Sequence, residues 1–400
     1  MKKSCHVMAK PTGSLCNLNC EYCFYLEKAH LYPSRNTVCM DDETLALYVQ
    51  YQIDAQPTND VVFAWQGGEP LLAGIDFYLR ACALQKTHAR GKRIINTLQT
   101  NGLLINDKWC RFFRDNDFLI GISIDGDEEF HDCYRKTQAG RPTHQQVIKA
   151  IDKLVEYGIA FNTLTVLHDV NVKDPLRLYQ YLKKIGSRDM QFIPLLEREV
   201  AAGCTSGFTW APPDFEASAR VSSQSITAED FGKFMKTIFY RWVRHDIGEV
   251  GIQFFEHLFA VWCQMPAQMC IFAEQCGTAL ALEMNGDIYQ CDHYVYPQYK
   301  AGNIHRVSIE EIVNRPENAD FAANKSRDLA HECQKCRFKF ACFGGCPKHR
   351  FVPAAAGSGK INYFCSGYQS FFHYVEPYML MMKSLWERGI SPSEIKNLLA

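Results

Sequence analysis

Pro11–Tyr25 reads PTGSLCNLNCEYCFY, which puts Cys16, Cys20 and Cys23 in the order C-x3-C-x2-C with Tyr22 directly ahead of the last thiol. A fully ligated 4Fe–4S cluster takes four cysteines. Three on one short loop can hold three of its irons and leave the fourth with open coordination positions, and an open metal position is where chemistry takes place. The plainer alternatives are a zinc knuckle or a few buried free cysteines. Structural zinc favours a C-x2-4-C pair matched by a distant second pair, and none follows closely here.

Around this loop the first half of the chain alternates strand-like and helix-like segments. Strands are expected at Val7–Thr12, Val61–Gln66, Arg93–Gln99, Phe118–Ile124, Phe161–Val166 and Met190–Pro194. Helices are expected over Asp41–Gln52, Phe77–Ala89, Thr143–Tyr157 and Asp174–Ile185. Such alternation argues for a parallel sheet with helical crossovers. The unusual residues fall where the strands end. The cysteine loop follows the first, Gly67-Gly68-Glu69-Pro70 the second, Gln99-Thr100-Asn101-Gly102 closes the third and Ser123-Ile124-Asp125-Gly126 the fourth. Barrels and open α/β sheets both build sites at strand C-termini, so this placement alone leaves both open.

The cysteine loop closely resembles that of the radical S-adenosylmethionine family. The resemblance implies an α/β fold, a partial (β/α)6 TIM-type barrel, with a 4Fe–4S cluster on Cys16, Cys20 and Cys23. Its open iron would chelate the amino and carboxylate groups of S-adenosyl-L-methionine, whose reductive cleavage gives a 5′-deoxyadenosyl radical. By the same resemblance Tyr22 lies beside the cofactor, and Gly67, Gly68 and Glu69 bind the methionine amino group. Two glycines let the backbone come close to a ligand, although GGEP is also an ordinary turn. Ser123 would offer a hydroxyl to the methionine carboxylate or the ribose. Arg135 would pair with that carboxylate through its planar donor fork, with Arg141 the less favoured substitute. A surface ion pair with Asp127 or Glu128 is the competing reading of Arg135. A main-chain group at Leu195 would read the adenine, and Gln66 and Gln99 would line the substrate pocket.

A second group of cysteines runs Cys270-x5-Cys276-x14-Cys291, then Cys333-x2-Cys336-x5-Cys342-x3-Cys346, then Cys365. Eight thiols suit two fully ligated 4Fe–4S clusters or two four-cysteine zinc sites, and their number does not choose. Their spacing resembles the SPASM domain, a C-terminal module of radical S-adenosylmethionine enzymes that modify peptides and proteins. That resemblance assigns Cys270, Cys276, Cys291 and Cys346 to one auxiliary cluster, and Cys333, Cys336, Cys342 and Cys365 to the other. Three clusters are thus expected in all, the two auxiliary ones serving electron transfer because no iron is open. Asp292 directly follows Cys291, and a carboxylate there suits a general base, with a turn cap as the alternative. His293 competes by its unperturbed pKa; the resemblance assigns the base to Asp292.

The chain has 400 residues, is 47% hydrophobic and 22% charged, and carries a formal charge of −1. This describes a soluble globular protein with more than one core. The charge gives no argument for a nucleic-acid or membrane surface. Neither a signal peptide nor an apolar run of membrane length stands out, so a cytoplasmic location without membrane association is expected. With 18 cysteines and no export signal, metal ligation is favoured over disulfides. The remaining seven, Cys5, Cys39, Cys82, Cys110, Cys133, Cys204 and Cys263, default to small buried apolar residues. Residues 199–225 read as a long loop. Helical periodicity resumes at Ser225–Val261, where Phe231, Phe234, Ile238, Phe239 and Trp242 share a face. Expected divisions are a barrel over 1–225, a helical connector over 226–264, a SPASM domain over 265–370 and a C-terminal helical segment over 371–400.

From about Val7 to about Glu376 the chain resembles the anaerobic sulfatase-maturating enzymes. The segments carrying this are Tyr240–Gln253 (YRWVRHDIGEVGIQ), Cys276–Met284 (CGTALALEM) and Gly286–Asn303 (GDIYQCDHYVYPQYKAGN). The resemblance implies oxidation of a cysteine or serine in a Cys/Ser-x-Pro-x-Arg motif of an unfolded or nascent sulfatase to Cα-formylglycine. Hydrogen abstraction at Cβ, deprotonation by Asp292 and electron transfer to an auxiliary cluster would accomplish it, with a flavodoxin- or ferredoxin-type reductant. The alternatives are a SPASM-type maturase of another ribosomal peptide, making a crosslink or epimer, and a non-catalytic iron–sulfur carrier. Only 15 residues precede Cys16, which leaves no room there for a leader-peptide-binding domain and favours the sulfatase reading.

Overall fold

The computed structural model describes residues 4–31, 39–201, 208–216, 218–355, 357 and 359–399. Six parallel strands lie side by side in chain order: β1 His6–Ala9, β2 Asp60–Trp65, β3 Arg93–Thr100, β4 Leu119–Ser123, β5 Phe161–Leu167 and β6 Asp189–Pro194. Each lies within a few residues of its expected span. β1 stops at Ala9 rather than Thr12 because Pro11 has no N–H for a ladder. The chain turns at once, with Gly13, at φ +55°, donating to the Lys10 carbonyl.

Helices fill the crossovers, among them Asp42–Ala55, Ile75–His88, His144–Glu156 and Pro175–Lys184. Asp41 and Asp174 cap the first and last by accepting from Thr44 and Arg177 N–H. Pro175 stands where a missing N–H is harmless. On β2, Val61, Phe63 and Trp65 alternate inward and are buried. The Trp65 ring meets Tyr48, Phe77 and Tyr78 of the first two helices edge-on at 5.5–5.8 Å, which locks helices to sheet.

The sheet extends beyond six strands. Gly251–Ile252 adds parallel to β6, and Ala279–Leu282 adds parallel to β1. A hairpin of Asp287–Tyr289 and Lys300–Asn303 continues outward from Ala279–Leu282, making ten strands. Residues 279–303, read from sequence as part of a separate domain, are therefore a wall of the same sheet. Their strands are too short for periodicity to reveal.

Helices Ala228–His245 and Gln253–Trp262 follow, parted at Gly248 (φ +85°). The expected apolar face of the first is buried, with Phe231 and Phe239 meeting Tyr368 and Phe371 of the helix Cys365–Glu387. A Cβ on Gly367 would stand 2.1 Å from the Ala228 carbonyl, so only glycine permits this close crossing. The helix starts at Cys365, so the division expected at 370 falls inside it. In the expected 199–225 loop, Arg198–Val200 pairs antiparallel with Ala219–Val221; Cys204 lies outside the described residues. Among those described, no helix is long and apolar enough to cross a membrane.

Candidate active site

The cysteine loop is held by the ends of the strands around it. Gly68 N–H donates to Gly13 O and Glu69 N–H to Leu15 O, both at 2.8 Å. A Cβ on Gly68 would fall 2.0 Å from the Leu15 carbonyl oxygen, so the GGEP backbone lies directly against the loop that carries Cys16. Glu69 is fully buried, and its carboxylate accepts from Leu71 N, Thr100 Oγ1 and Asn101 N at 2.8–3.0 Å. Its side chain thereby ties the end of β2 to the end of β3. Burial pushes its carboxyl up to about 7 against those three donors. Asn101 Nδ2 stands 2.7 Å from Asn17 Oδ1 and 3.8 Å from Cys16 Sγ.

Cys16, Cys20 and Cys23 are all partly buried, and the charges of Cys16 and Cys23 act on Cys20. Burial pushes the Cys16 and Cys20 thiols up to about 12; a thiol that coordinates a metal is deprotonated outright. Tyr22 is buried. Its hydroxyl donates to Asp125 Oδ2 at 2.5 Å, and Arg135 Nε donates to the same oxygen at 2.8 Å. Asp125 Oδ1 receives Val166 N–H of β5 at 3.0 Å. Burial pushes the Asp125 carboxyl up, but Arg135, His168 and His131 overcome it and hold it below the usual carboxylate range. Arg135 therefore pairs with buried Asp125 and not with surface Asp127 or Glu128; Asp127 instead pairs with Arg177. Arg141 is exposed.

Gln99 Nε2 donates to Ser123 Oγ at 3.0 Å across β3 and β4, on half-buried side chains. The space beside Gly121 is filled by the Gln99 amide. Gln66, likewise half-buried, docks its N–H on Ala9 O of β1. At Leu195 the N–H is committed to Leu167 O and the carbonyl receives Ile226 N–H. What that main chain still offers an adenine is the second lone pair of the carbonyl.

Asp292 stands with Oδ1 2.5 Å from Nζ of Lys10, the residue that follows β1 and leads into the loop. Lys10 is almost fully buried, its ammonium 4.3 Å above the Tyr25 ring. Burial pushes the Asp292 carboxyl up, while Lys10, His293 and Lys348 overcome this and hold it low. His293, the competing base, faces Cys346 with Nδ1 3.6 Å from the sulfur, and burial pushes it down to about 4. Nearby, Lys348 and Glu197 form a second buried ion pair at 2.5 Å. Lys10, Glu197 and Lys348 went unassigned in the sequence. The signal that marks Lys10 is a lysine directly before Pro11 at the end of a buried strand.

The eight C-terminal thiols divide spatially. Cys346 and Cys270 are the sulfurs whose charge acts on both Cys276 and Cys291. Cys365, Cys333 and Cys336 act on Cys342, and these four line one pocket. These are the two sets that the SPASM resemblance implies. Among the described residues no three His, Cys, Asp or Glu side chains converge closely enough to hold a single metal ion. Cys333, Cys336, Cys342 and Cys365 instead surround a shared pocket. Of the cysteines left over, Cys5, Cys82 and Cys110 are buried, while Cys39, Cys133 and Cys263 are partly so.

Residues 11–182 match the family model of the radical SAM superfamily, and residues 270–337 that of the SPASM iron–sulfur cluster-binding domain. The chain is 41% identical to a serine-type anaerobic sulfatase-maturating enzyme of Bacteroides thetaiotaomicron, over 99% of this chain and 95% of that one. The chain belongs to the anaerobic sulfatase-maturating enzymes. To a cysteine-type member from Clostridium perfringens it is 30% identical, over 94% of this chain and 97% of the relative. The solved structure of native anSMEcpe with bound AdoMet and Kp18Cys peptide superposes with a TM-score of 0.81 at 29% identity, covering 94% of this chain and 99% of that one. The chain is thus a radical S-adenosylmethionine oxidoreductase, with S-adenosylmethionine and 4Fe–4S clusters as its cofactors.

Proposed function

We propose that this chain oxidises the serine of a Ser-x-Pro-x-Arg motif in an unfolded sulfatase polypeptide to Cα-formylglycine. The observation that carries the reading is the meeting of Lys10, at the end of the strand leading into the three-cysteine loop, with Asp292, next to Cys291. Serine rather than cysteine is favoured by 41% identity to a serine-type relative against 30% to a cysteine-type one. Cys16, Cys20 and Cys23 hold one cluster, and the two C-terminal groups of four hold two more. When bound, S-adenosylmethionine supplies a 5′-deoxyadenosyl radical that takes one hydrogen atom from the substrate Cβ.

Asp292, kept ionised by Lys10, accepts the substrate hydroxyl proton. The electron left on the substrate departs on the side of the pocket where Cys291 adjoins Asp292. Loss of one hydrogen atom, one proton and one electron converts the CH2–OH to the aldehyde. Gly67 and Gly68 present main chain to the methionine end of the cofactor, with Ser123 and the terminal amines of Arg135 toward its carboxylate and ribose. Leu195 O faces the adenine, while Gln66 and Gln99 border the substrate. A one-electron carrier of flavodoxin or ferredoxin type reduces the enzyme, and the free cysteines among the described residues suit the cytoplasm.

The test is anaerobic turnover of reconstituted protein with S-adenosylmethionine, dithionite and paired Ser-x-Pro-x-Arg and Cys-x-Pro-x-Arg peptides, followed by mass spectrometry. The serine peptide should lose two hydrogens. Formation of 5′-deoxyadenosine with both peptides unchanged would overturn the sulfatase reading.

A further inference from the structure

Arg350 opens the strand Arg350–Pro353, just past the loop Cys342–Cys346 that joins the two C-terminal cysteine groups. Its guanidinium is spent on carbonyls. Nε donates to Gly344 O at 2.9 Å, Nη2 to Phe343 O at 2.6 Å and Gly345 O at 3.2 Å, and Nη1 to Lys325 O at 2.6 Å. Phe343, Gly344 and Gly345 all have positive φ, so the loop curls around the guanidinium. A Cβ on Gly344 would sit 2.8 Å from Nη2. Among the described residues no carboxylate forms an ion pair with this cation. The loop carbonyls it binds lie between Cys342 of one group and Cys346 of the other; burial pushes the guanidinium down, and Cys333, Cys346, Cys342 and Cys276, two from each group, oppose that.

Lys325 provides the contrast. It is also buried, with Nζ donating to Cys270 O and Ile271 O at 2.9 Å, but the sulfurs acting on it, Cys276, Cys346 and Cys270, all belong to one group.

We propose that Arg350 is a shared electrostatic bridge that favours the reduced state of both auxiliary clusters at once. This rests on the reading that each group of four cysteines holds a 4Fe–4S cluster. Such a cluster with four thiolates carries net negative charge, and one-electron reduction makes it more negative. A fixed cation in a low-dielectric setting between two such centres lowers the free energy of reducing either. It also offsets their mutual repulsion when both are reduced.

The test is an EPR-monitored redox titration of the fully reconstituted chain and of Arg350→Gln, Arg350→Lys and Lys325→Met, with iron counted in each. Arg350→Gln should move both auxiliary midpoints to more negative potential, each by at least a tenfold change in the one-electron equilibrium, about 59 mV. Arg350→Lys should stay near wild type, and Lys325→Met should move the midpoint of its own cluster only. Arg350→Gln with full iron and either midpoint unmoved overturns the proposal and leaves Arg350 a loop brace. If that variant cannot keep its iron, Arg350→citrulline keeps the shape while removing the charge, and the same two outcomes apply. Wild-type protein that binds the iron of the three-cysteine loop alone would overturn the cluster reading beneath the proposal.

Discussion

Lys10 Nζ lies 2.5 Å from Asp292 Oδ1, joining the end of the first strand to the residue beside Cys291, far along the chain. In the proposed reaction the pair orients Asp292 as well as keeping it charged. Lys10→Met should leave Asp292 unpaired and mispositioned and lower peptide oxidation by about 10²-fold, within the usual range for disturbing a general base. Cleavage of S-adenosylmethionine should continue, so 5′-deoxyadenosine per oxidised peptide rises. If the pair acts as a unit, Lys10→Met added to Asp292→Asn should cost little more than Asp292→Asn alone. Additive losses would separate the two residues.

Gly68 is where backbone meets backbone. Gly68→Ala would drive a methyl into the Leu15 carbonyl, and neither segment can give way without moving Cys16. The variant should lose the iron of the three-cysteine loop while keeping that of the C-terminal groups. Iron analysis with Mössbauer or EPR spectra reads this directly, and full iron content would show that the contact is soft.

Asp125 receives Tyr22, Arg135 and Val166 in one buried spot. Asp125→Asn strands the Arg135 guanidinium and should cost about 3–5 kcal/mol. Tyr22→Phe removes one hydrogen bond and should cost about 1–2 kcal/mol. Denaturant midpoints under anaerobic conditions compare them; equal losses would argue that Tyr22, not the charge pair, holds the hub.

Burial raises Glu69 from its ordinary 4.5 to about 7. In that window the folded chain holds a proton that the unfolded chain has released, so this group stabilises the fold fully below the lower value. The contribution fades as pH rises through about 7. The effect is on the order of 3 kcal/mol at ~1.4 kcal/mol per pH unit. Glu69→Gln cannot titrate, so the thermal midpoint gap between wild type and variant should narrow from about pH 5 to about pH 8. A gap that stays constant would mean that the three donors keep Glu69 ionised throughout.

What the sequence disclosed was whatever is written locally. The eight C-terminal cysteines are conspicuous in the sequence, but their division into two crossing groups of four comes from the resemblance to the SPASM domain, not from the spacing itself. The strands β1–β6 announced themselves by short apolar runs ending in glycines and polar residues. Partnerships across the chain left no such trace. Nothing near Lys10 points to Asp292, and Asp125 sat inside a recognised motif without showing that it would take Arg135. Leu195 and Glu69 look like ligand contacts in one dimension, whereas their polar groups are largely used to knit neighbouring strands together. Arg350 is one basic residue in a run of them until the loop around it is seen.

The pairing of Ala279–Leu282 with β1 bears on how the chain can be divided. A fragment ending before residue 279 would expose β1 as a bare parallel edge, with the carbonyls that receive no partner facing solvent and inviting self-association. Lys10 would lose both its backbone anchor at Leu282 and its counter-charge. The part that matches the radical SAM superfamily and the part that matches the SPASM domain therefore share a seam, and parting them opens the sheet.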